Sequence, residues 1–171
     1  MHADIISDFV VSPNVTKVDG KVFTFTSLRS LVGAKPPTAF TASKLSMDSV
    51  SYAVLQYPTG TLNPPHTQPR SAELLFLVDG CLEVGFVDTT NKLFTQLLES
   101  GGHGLVHYQY NNDPNNLAVA VSAFGSASAG TVLIPSTLFI TGIDSGILAK
   151  AFKTDVGTIE KLKAEDTRIK K

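Results

Sequence analysis

The sequence predicts an all-β fold, an antiparallel sandwich or barrel, followed by a short helical C-terminus. Three observations predict it. Turn signals such as Asp19-Gly20, Pro36-Pro37 and Asp79-Gly80 recur along the chain. Short runs rich in β-forming residues lie between these turns. From residue 154 onwards, the apolar residues change to helical spacing. A chain of 171 residues is long enough for one domain with a sizeable core.

The predicted strands are of two kinds. Runs that alternate apolar and polar residues predict strands with one buried face, and a continuous apolar run predicts a strand buried on both faces. The run that begins at Leu74 is continuous, whereas those that begin at Val22, Val50 and Leu117 alternate. The main runs are Val22-Phe-Thr-Phe-Thr, Val50-Ser-Tyr-Ala-Val-Leu, Leu74-Leu-Phe-Leu-Val, Leu82-Glu-Val-Gly-Phe-Val, Leu105-Val-His-Tyr-Gln and Leu117-Ala-Val-Ala-Val-Ser-Ala-Phe.

The C-terminal segment predicts a helix. Val156, Ile159 and Leu162 share one helical face, and Thr154 or Asp155 can cap its start. The apolar stripe is narrow, so this helix is not stable alone. It should pack on the barrel or on a neighbouring subunit.

Composition excludes several classes of protein. Charged residues make up 17 %, below the average of about 25 %, and apolar residues 43 %, which argues against disorder and favours self-association. The net charge of -1 gives no basic footprint for nucleic acid. No apolar run approaches the ~20 residues of a membrane span. Cys81 is the sole cysteine, so the chain forms no intramolecular disulfide.

A candidate metal site combines His66, Gln68, Glu73 and His107. On one strand His66 and Gln68 point to the same face, but Glu73 follows His66 at an odd separation, so the turn at Pro69 must change the phase. A buried carboxylate and two imidazoles need a compensating partner, and these donors suit Mn, Fe or Zn. Gln68 is a weaker donor than imidazole and either ligates through its carbonyl or holds a bound water. A degenerate site filled by water is the alternative.

Two segments carry a family resemblance. His66 to Gly80 and Gly104-Leu-Val-His-Tyr-Gln-Tyr-Asn111 resemble the two sequence boxes of plant germin-like proteins, members of the cupin superfamily. The resemblance implies a single germin-like cupin domain over residues 1–171. Its jelly-roll β-barrel would span about 20–135, and its short C-terminal α-helices about 136–167. The metal ligands it implies are His66, Gln68, Glu73 and His107, with no separate catalytic residue.

The same resemblance implies a function. It implies a Mn-dependent extracellular oxidoreductase, such as a superoxide dismutase, that forms homotrimers or homohexamers; Fe and Zn are alternative metals. Oxalate oxidase, acting on a small anionic substrate, is the other enzymatic activity of the family. The sequon at Asn14 would carry an N-glycan in the apoplast. A cytosolic location stays open, because the N-terminus shows no signal-peptide pattern.

Three departures from the family pattern stand out: Gln68 replaces the second histidine of the first box, the second box is shortened near residues 99–104, and the N-terminal cysteine pair common in germins is absent. The segment at 44–52 also looks contracted. Gln68 and the short second box favour a non-enzymatic function. His103, in the shortened second box, is expected to be exposed rather than a ligand. A non-enzymatic defence, storage or receptor-type cupin with a degenerate metal site is one alternative. A metal-free or Zn-assisted enzyme acting on a plant metabolite is another, and an elongated apolar pocket in the barrel, blocked by neither histidine nor phenylalanine, would distinguish it.

Overall fold

The computed structural model describes residues 24, 26–47, 49–98 and 106–168. The chain divides into two units, residues 1–34 and 35–171. In the first unit, the described secondary structure is a 3-10 helix, Ser27–Leu31. The predicted glycan site at Asn14 and the histidine His103 lie outside the described residues, as do the contraction at 99–104 and most of the predicted strand at Val22.

The second unit carries strands followed by helices, as the sequence predicts. Its described strands form two antiparallel sheets, with the orders β1-β2-β8-β4 and β6-β5-β7-β3-β9. Neighbouring strands that are distant in sequence are typical of a jelly roll. The predicted all-β class is therefore confirmed, whereas the predicted domain limits stay a prediction. The strands are β1 Thr41–Met47, β2 Val50–Tyr57, β3 Leu62–Thr67, β4 Glu73–Asp79, β5 Leu82–Val87, β6 Leu93–Leu98, β7 Val106–Tyr110, β8 Ala118–Phe124 and β9 Val132–Leu133.

The core lies on the inward faces of the alternating strands. β2 and β8 pair along their length, and every second residue of each is buried. In the segment at 44–52, β1 pairs with β2, and Met47 lies opposite Val50. Burying each Leu-sized side chain contributes about 1.5–3 kcal/mol. The buried cluster contains Ala53, Leu55, Tyr57, Leu75, Leu77, Leu82, Leu98, Ala118, Ala120, Phe124 and Ala129.

The strand β4 departs from the prediction that both of its faces are buried. Its inward residues Leu75 and Leu77 are buried, but Leu74, Phe76 and Val78 are 51 %, 57 % and 57 % exposed. β4 is the last strand of its sheet, and nothing among the described residues covers its outer face. The continuous apolar run therefore identifies an apolar surface rather than a strand enclosed on both sides.

The C-terminal segment forms α1 Ile134–Phe139, α2 Ser145–Phe152 and α3 Val156–Arg168. Asp155 caps α3, because its carboxylate accepts a hydrogen bond from the backbone N–H of Thr158 at 2.9 Å. Of the predicted stripe, Ile159 is fully buried against α2, whereas Val156 and Leu162 are 49 % and 44 % exposed. None of the described helices combines the length and apolar character required to cross a membrane.

Candidate metal centre

Three side chains from three strands meet between the two sheets. His66 on β3 lies directly opposite His107 on β7, with their ring centroids 4.1 Å apart. Glu73 enters from β4, in the other sheet. One potential ligand atom of each residue lies within 4.8 Å of those of the other two. The three residues are 1 %, 8 % and 7 % exposed in that order, so the cluster is screened from bulk water.

The turn between β3 and β4 explains how Glu73 reaches this cluster. The backbone N–H of Ser71 donates to the carbonyl of Gln68 at 3.3 Å, and that of Arg70 donates to the carbonyl of Ala129 at 3.1 Å. The Arg70 guanidinium also donates to the Ser128 carbonyl at 2.7 Å. The turn carries the chain from one sheet to the other. The odd separation between His66 and Glu73 therefore does not place them on opposite faces.

Glu73 is held in its charged form by two donors. Its Oε2 accepts from Nε2 of His107 at 2.8 Å, and its Oε1 accepts from the Ser122 hydroxyl at 2.5 Å. Burial acts to raise the pKa of Glu73, but the hydrogen bonds from His107 and then Ser122 outweigh burial and hold it below its usual value. A buried carboxylate at neutral pH is therefore a stable feature of the site.

His66 is neutral and has a fixed tautomer. Its Nδ1 lies 2.8 Å from the carbonyl oxygen of Pro64. A carbonyl only accepts, so Nδ1 carries the proton and Nε2 keeps its lone pair. Burial, and next the charge of His107, lower the pKa of His66. A neutral imidazole oriented by a backbone carbonyl is a common form of metal-ligating histidine.

The donor set fits a divalent transition metal. His66, Glu73 and His107 form a two-histidine, one-carboxylate set, which suits Mn, Fe or Zn and leaves coordination positions open. Gln68, the fourth predicted ligand, lies in the turn after β3, where its side-chain amide oxygen accepts from the Thr131 hydroxyl at 3.2 Å. This hydrogen bond leaves one lone pair on that oxygen, and metal binding by Gln68 stays a prediction.

A cavity of about 310 Å³ opens beside the cluster. Its polar lining residues are Glu73, Thr95, Gln96, His107, Tyr108 and Gln109. Phe86 and Phe94 are a cross-strand pair of β5 and β6, with stacked rings 4.9 Å apart. The four largely apolar wall residues are Leu75, Val84, Phe86 and Phe94. His107, Phe86 and Phe94 all line this cavity, so an enzyme that acts on a plant metabolite, which requires a pocket blocked by neither histidine nor phenylalanine, stays a prediction.

Gln109 is a second polar group at the cavity, and it is not among the residues predicted from the sequence. Its side chain lines the cavity and is 2 % exposed. Its Oε1 accepts hydrogen bonds from Asn63 Nδ2 at 2.6 Å and from the Tyr57 hydroxyl at 3.4 Å. Burial, and then the charge of Glu73, raise the pKa of Tyr57, so this hydroxyl stays protonated and donates.

The sequence does contain signals for the missed residues. Gln109 is two residues from His107 on one strand, so the two share a face. Ser122 occupies an inward position of an alternating Ala-rich strand, where an apolar residue is expected. A polar residue at such a position needs a partner, and here the partner is Glu73.

Comparison with known families agrees with this geometry. The cupin family profile matches residues 38–160. Two sheets that enclose a cluster of histidine and carboxylate side chains define the class: a cupin with a potential metal site.

The relatives then define the family. Germin-like protein 9-3 of Oryza sativa subsp. japonica is 52 % identical over 98 % of this chain and 87 % of its own length. The putative germin-like protein 9-2 of the same species is 50 % identical over 96 % and 85 %. The chain belongs to the germin-like proteins of the cupin family.

Solved structures support the same fold. One oxalate oxidase is 26 % identical and superposes with a TM-score of 0.76, over 95 % of this chain and 92 % of that one. A recombinant oxalate oxidase in complex with glycolate is 28 % identical, with a TM-score of 0.67 over 72 % and 71 %. The Bacillus subtilis oxalate decarboxylase, described with Mn(II) centres, is 11 % identical with a TM-score of 0.64, over 77 % of this chain and 38 % of that one, and is similar in fold alone.

Proposed function

We propose that this germin-like protein binds Mn through His66, Glu73 and His107 and acts as an extracellular oxidoreductase, superoxide dismutase in the first instance. The observation that carries the proposal is the convergence of two imidazoles and one carboxylate, all buried, within 4.8 Å. Similarity to oxalate oxidases at 26–28 % identity supports a redox role. Gln68 would act as a weak fourth donor.

Two of the three ligands, His66 and Glu73, are oriented for ligation by their surroundings. The Pro64 carbonyl fixes the tautomer of His66 so that Nε2 keeps its lone pair. Ser122 keeps the Glu73 carboxylate charged and oriented. When bound, Mn supplies a centre with two accessible oxidation states and open positions. One carboxylate does not neutralise a divalent ion, so the site stays cationic and favours anions such as superoxide or a small dicarboxylate.

Metal content tests the proposal directly. We expect near-stoichiometric Mn by ICP-MS in protein prepared without chelators, and its loss in His107→Ala. His103→Ala is the matched control, because the sequence analysis predicts that His103 is not a ligand. Superoxide dismutation should follow the metal content in all three proteins. A folded wild-type protein that contains no metal contradicts the proposal.

The second candidate function is a non-enzymatic defence, storage or receptor-type cupin with a degenerate site. The hydrogen bond from Thr131 to Gln68 favours it, because it satisfies the amide oxygen without a metal. This function predicts normal folding without metal and no superoxide activity after reconstitution with Mn.

We also propose that the chain forms a homotrimer or homohexamer. The apolar outer face of β4, formed by Leu74, Phe76 and Val78, is more than half exposed in the single chain and would be covered by another copy. Light scattering should give a mass several times that of one chain. Phe76→Asp should reduce it, whereas the control Lys92→Asp, outside this face, should not.

Secretion and an N-glycan at Asn14 complete the proposal. The similarity to germin-like proteins supports both. Mass spectrometry of protein from the apoplast should show a glycan on Asn14 that is lost in Asn14→Gln.

A further inference from the structure

The cavity beside the cluster is larger than a small dicarboxylate or superoxide requires. Its volume of about 310 Å³ equals that of roughly ten water molecules at ~30 Å³ each. It lies at the lower end of the range for small-molecule sites, roughly 300–1,000 Å³. The space suits a ligand the size of a two-ring aromatic compound.

The wall of the cavity selects for a flat apolar body. Phe86 and Phe94 line the cavity with two nearly parallel rings, at an interplanar angle of 10°, beside the polar Thr95, Gln96 and Tyr108. Leu75 and Val84 add aliphatic surface. Phe94 is 38 % exposed, which leaves this wall accessible from solvent. An aromatic ring gains both area burial and ring–ring contact in such a site.

The polar lining of the cavity selects for a hydroxyl group. The Oε1 of Gln109 is used by Asn63 and Tyr57, but its Nε2 has no hydrogen-bond partner within the described part of the chain. Gln109 is 2 % exposed, so an unsatisfied N–H there is costly and calls for an acceptor from a ligand or water. Glu73, which also lines the cavity, is a charged acceptor with lone pairs beyond those used by His107 and Ser122.

We propose that the cavity binds a planar phenol, with the ring against Phe86 and Phe94 and the hydroxyl between Gln109 and Glu73. A phenolic oxygen accepts from the Gln109 amide while its O–H donates to the Glu73 carboxylate. An aromatic carboxylate offers no proton, and its charge would repel Glu73. The inference deepens the proposed function, since it names a ligand class for that site, but its binding contacts come from protein groups alone.

The test uses 2-naphthol as the probe and chelator-treated full-length protein. The chain has no tryptophan, so 2-naphthol emission can be followed with little background. Val84→Phe fills the cavity and should weaken binding at least tenfold. Leu97→Phe is the matched control: it adds the same ring on β6, where Leu97 is 61 % exposed and outside the cavity lining. Phe94→Ala, at a position that is 38 % exposed, should also weaken binding at least tenfold.

Two probes of the same shape test the hydroxyl. We expect 2-naphthoate and 2-methylnaphthalene to bind at least tenfold more weakly than 2-naphthol. Equal binding of all three overturns the proposed contacts to Gln109 and Glu73. Absence of saturable 2-naphthol binding, or binding unchanged in both Val84→Phe and Phe94→Ala, overturns the cavity as the site. Thermal unfolding establishes that each variant is folded.

ICP-MS on the same samples before chelation separates the two proposals. Phenol binding without metal uptake supports this inference and contradicts the Mn proposal. Metal uptake without phenol binding overturns this inference alone.

Discussion

Replacing Ser122 with alanine tests the electrostatic account of the cluster. The Ser122 hydroxyl donates to Oε1 of Glu73, a buried carboxylate whose other oxygen accepts from His107. The substitution removes one of two donors and leaves little change in volume. The pKa of Glu73 should therefore rise from its lowered value, and the folded state should lose stability wherever Glu73 is charged.

The expected loss of stability in Ser122→Ala follows from the negative charge of Glu73. A hydrogen bond to a charged group contributes about 1.5–3 kcal/mol, which lowers Tm by about 3–12 °C for a chain of this size. A group whose pKa is lowered by folding stabilises the protein above its unfolded pKa. This contribution disappears as the pH falls through the folded pKa. The effect of Ser122→Ala should thus be complete at pH 7.5 and shrink below the ordinary carboxyl pKa of 4.5.

The assay is urea unfolding of metal-free protein at pH 7.5 and pH 4.0, at one protein concentration. Ser51→Ala is the matched control: Ser51 is also buried in the same sheet, but its hydroxyl donates to the neutral carbonyl of Ser126 at 2.7 Å. Ser51→Ala should lower the free energy of unfolding by about 0.5–1.5 kcal/mol at both pH values. An equal loss of unfolding free energy for Ser122→Ala at the two pH values, or a loss no larger than the control's, would show that Ser122 does not stabilise a charged Glu73.

Three further predictions concern Gly85, Gln68 and His66. Gly85→Ala should cost about 1–3 kcal/mol in urea unfolding, because a Cβ there would lie 2.3 Å from the Tyr108 ring; Gly125→Ala, with 3.9 Å to its nearest atom, should be near neutral. Gln68→His should tighten Mn binding by roughly tenfold in a chelator competition, and unchanged affinity would count against Gln68 as a weak ligand position. Metal-free protein should lose stability as the pH falls below 6.5, because the pKa of His66 is lowered and only the unfolded chain takes up its proton; a flat urea midpoint between pH 8 and pH 5.5 would contradict this.

The strands could be predicted from sequence because their patterns are local. Alternation in Val50-Ser-Tyr-Ala-Val-Leu and Leu117-Ala-Val-Ala-Val-Ser-Ala-Phe reports one buried face, and β2 and β8 have that form. The pattern of β4 was misleading because hydrophobicity does not say what covers a residue. Leu74 and Phe76 are apolar, yet they lie on an exposed face of an edge strand.

The candidate site was only partly predictable. His66, Glu73 and His107 were found because imidazole and carboxylate groups are rare in apolar strands and because the surrounding segments resemble a family. The donors to Glu73 depend on register between distant strands. Ser122 reaches it across β4 and β8, a pairing that no local pattern specifies. Gln109 was missed for the same reason, since its partner Asn63 lies on the neighbouring strand β3.

The side chains of the cluster are already hydrogen-bonded without a metal, so metal binding can be lost while the fold is retained. Both oxygens of Glu73 have donors, and His66 is oriented by Pro64, so the fold does not require an ion to compensate the buried charge. The free energy of metal binding must then exceed the free energy of the hydrogen bond between His107 and Glu73, because ligation by Nε2 of His107 would replace that bond. A third imidazole, at position 68, would be a fourth donor and would help to offset the loss of that bond. The residue at position 68 should therefore set metal occupancy while leaving folding almost unchanged.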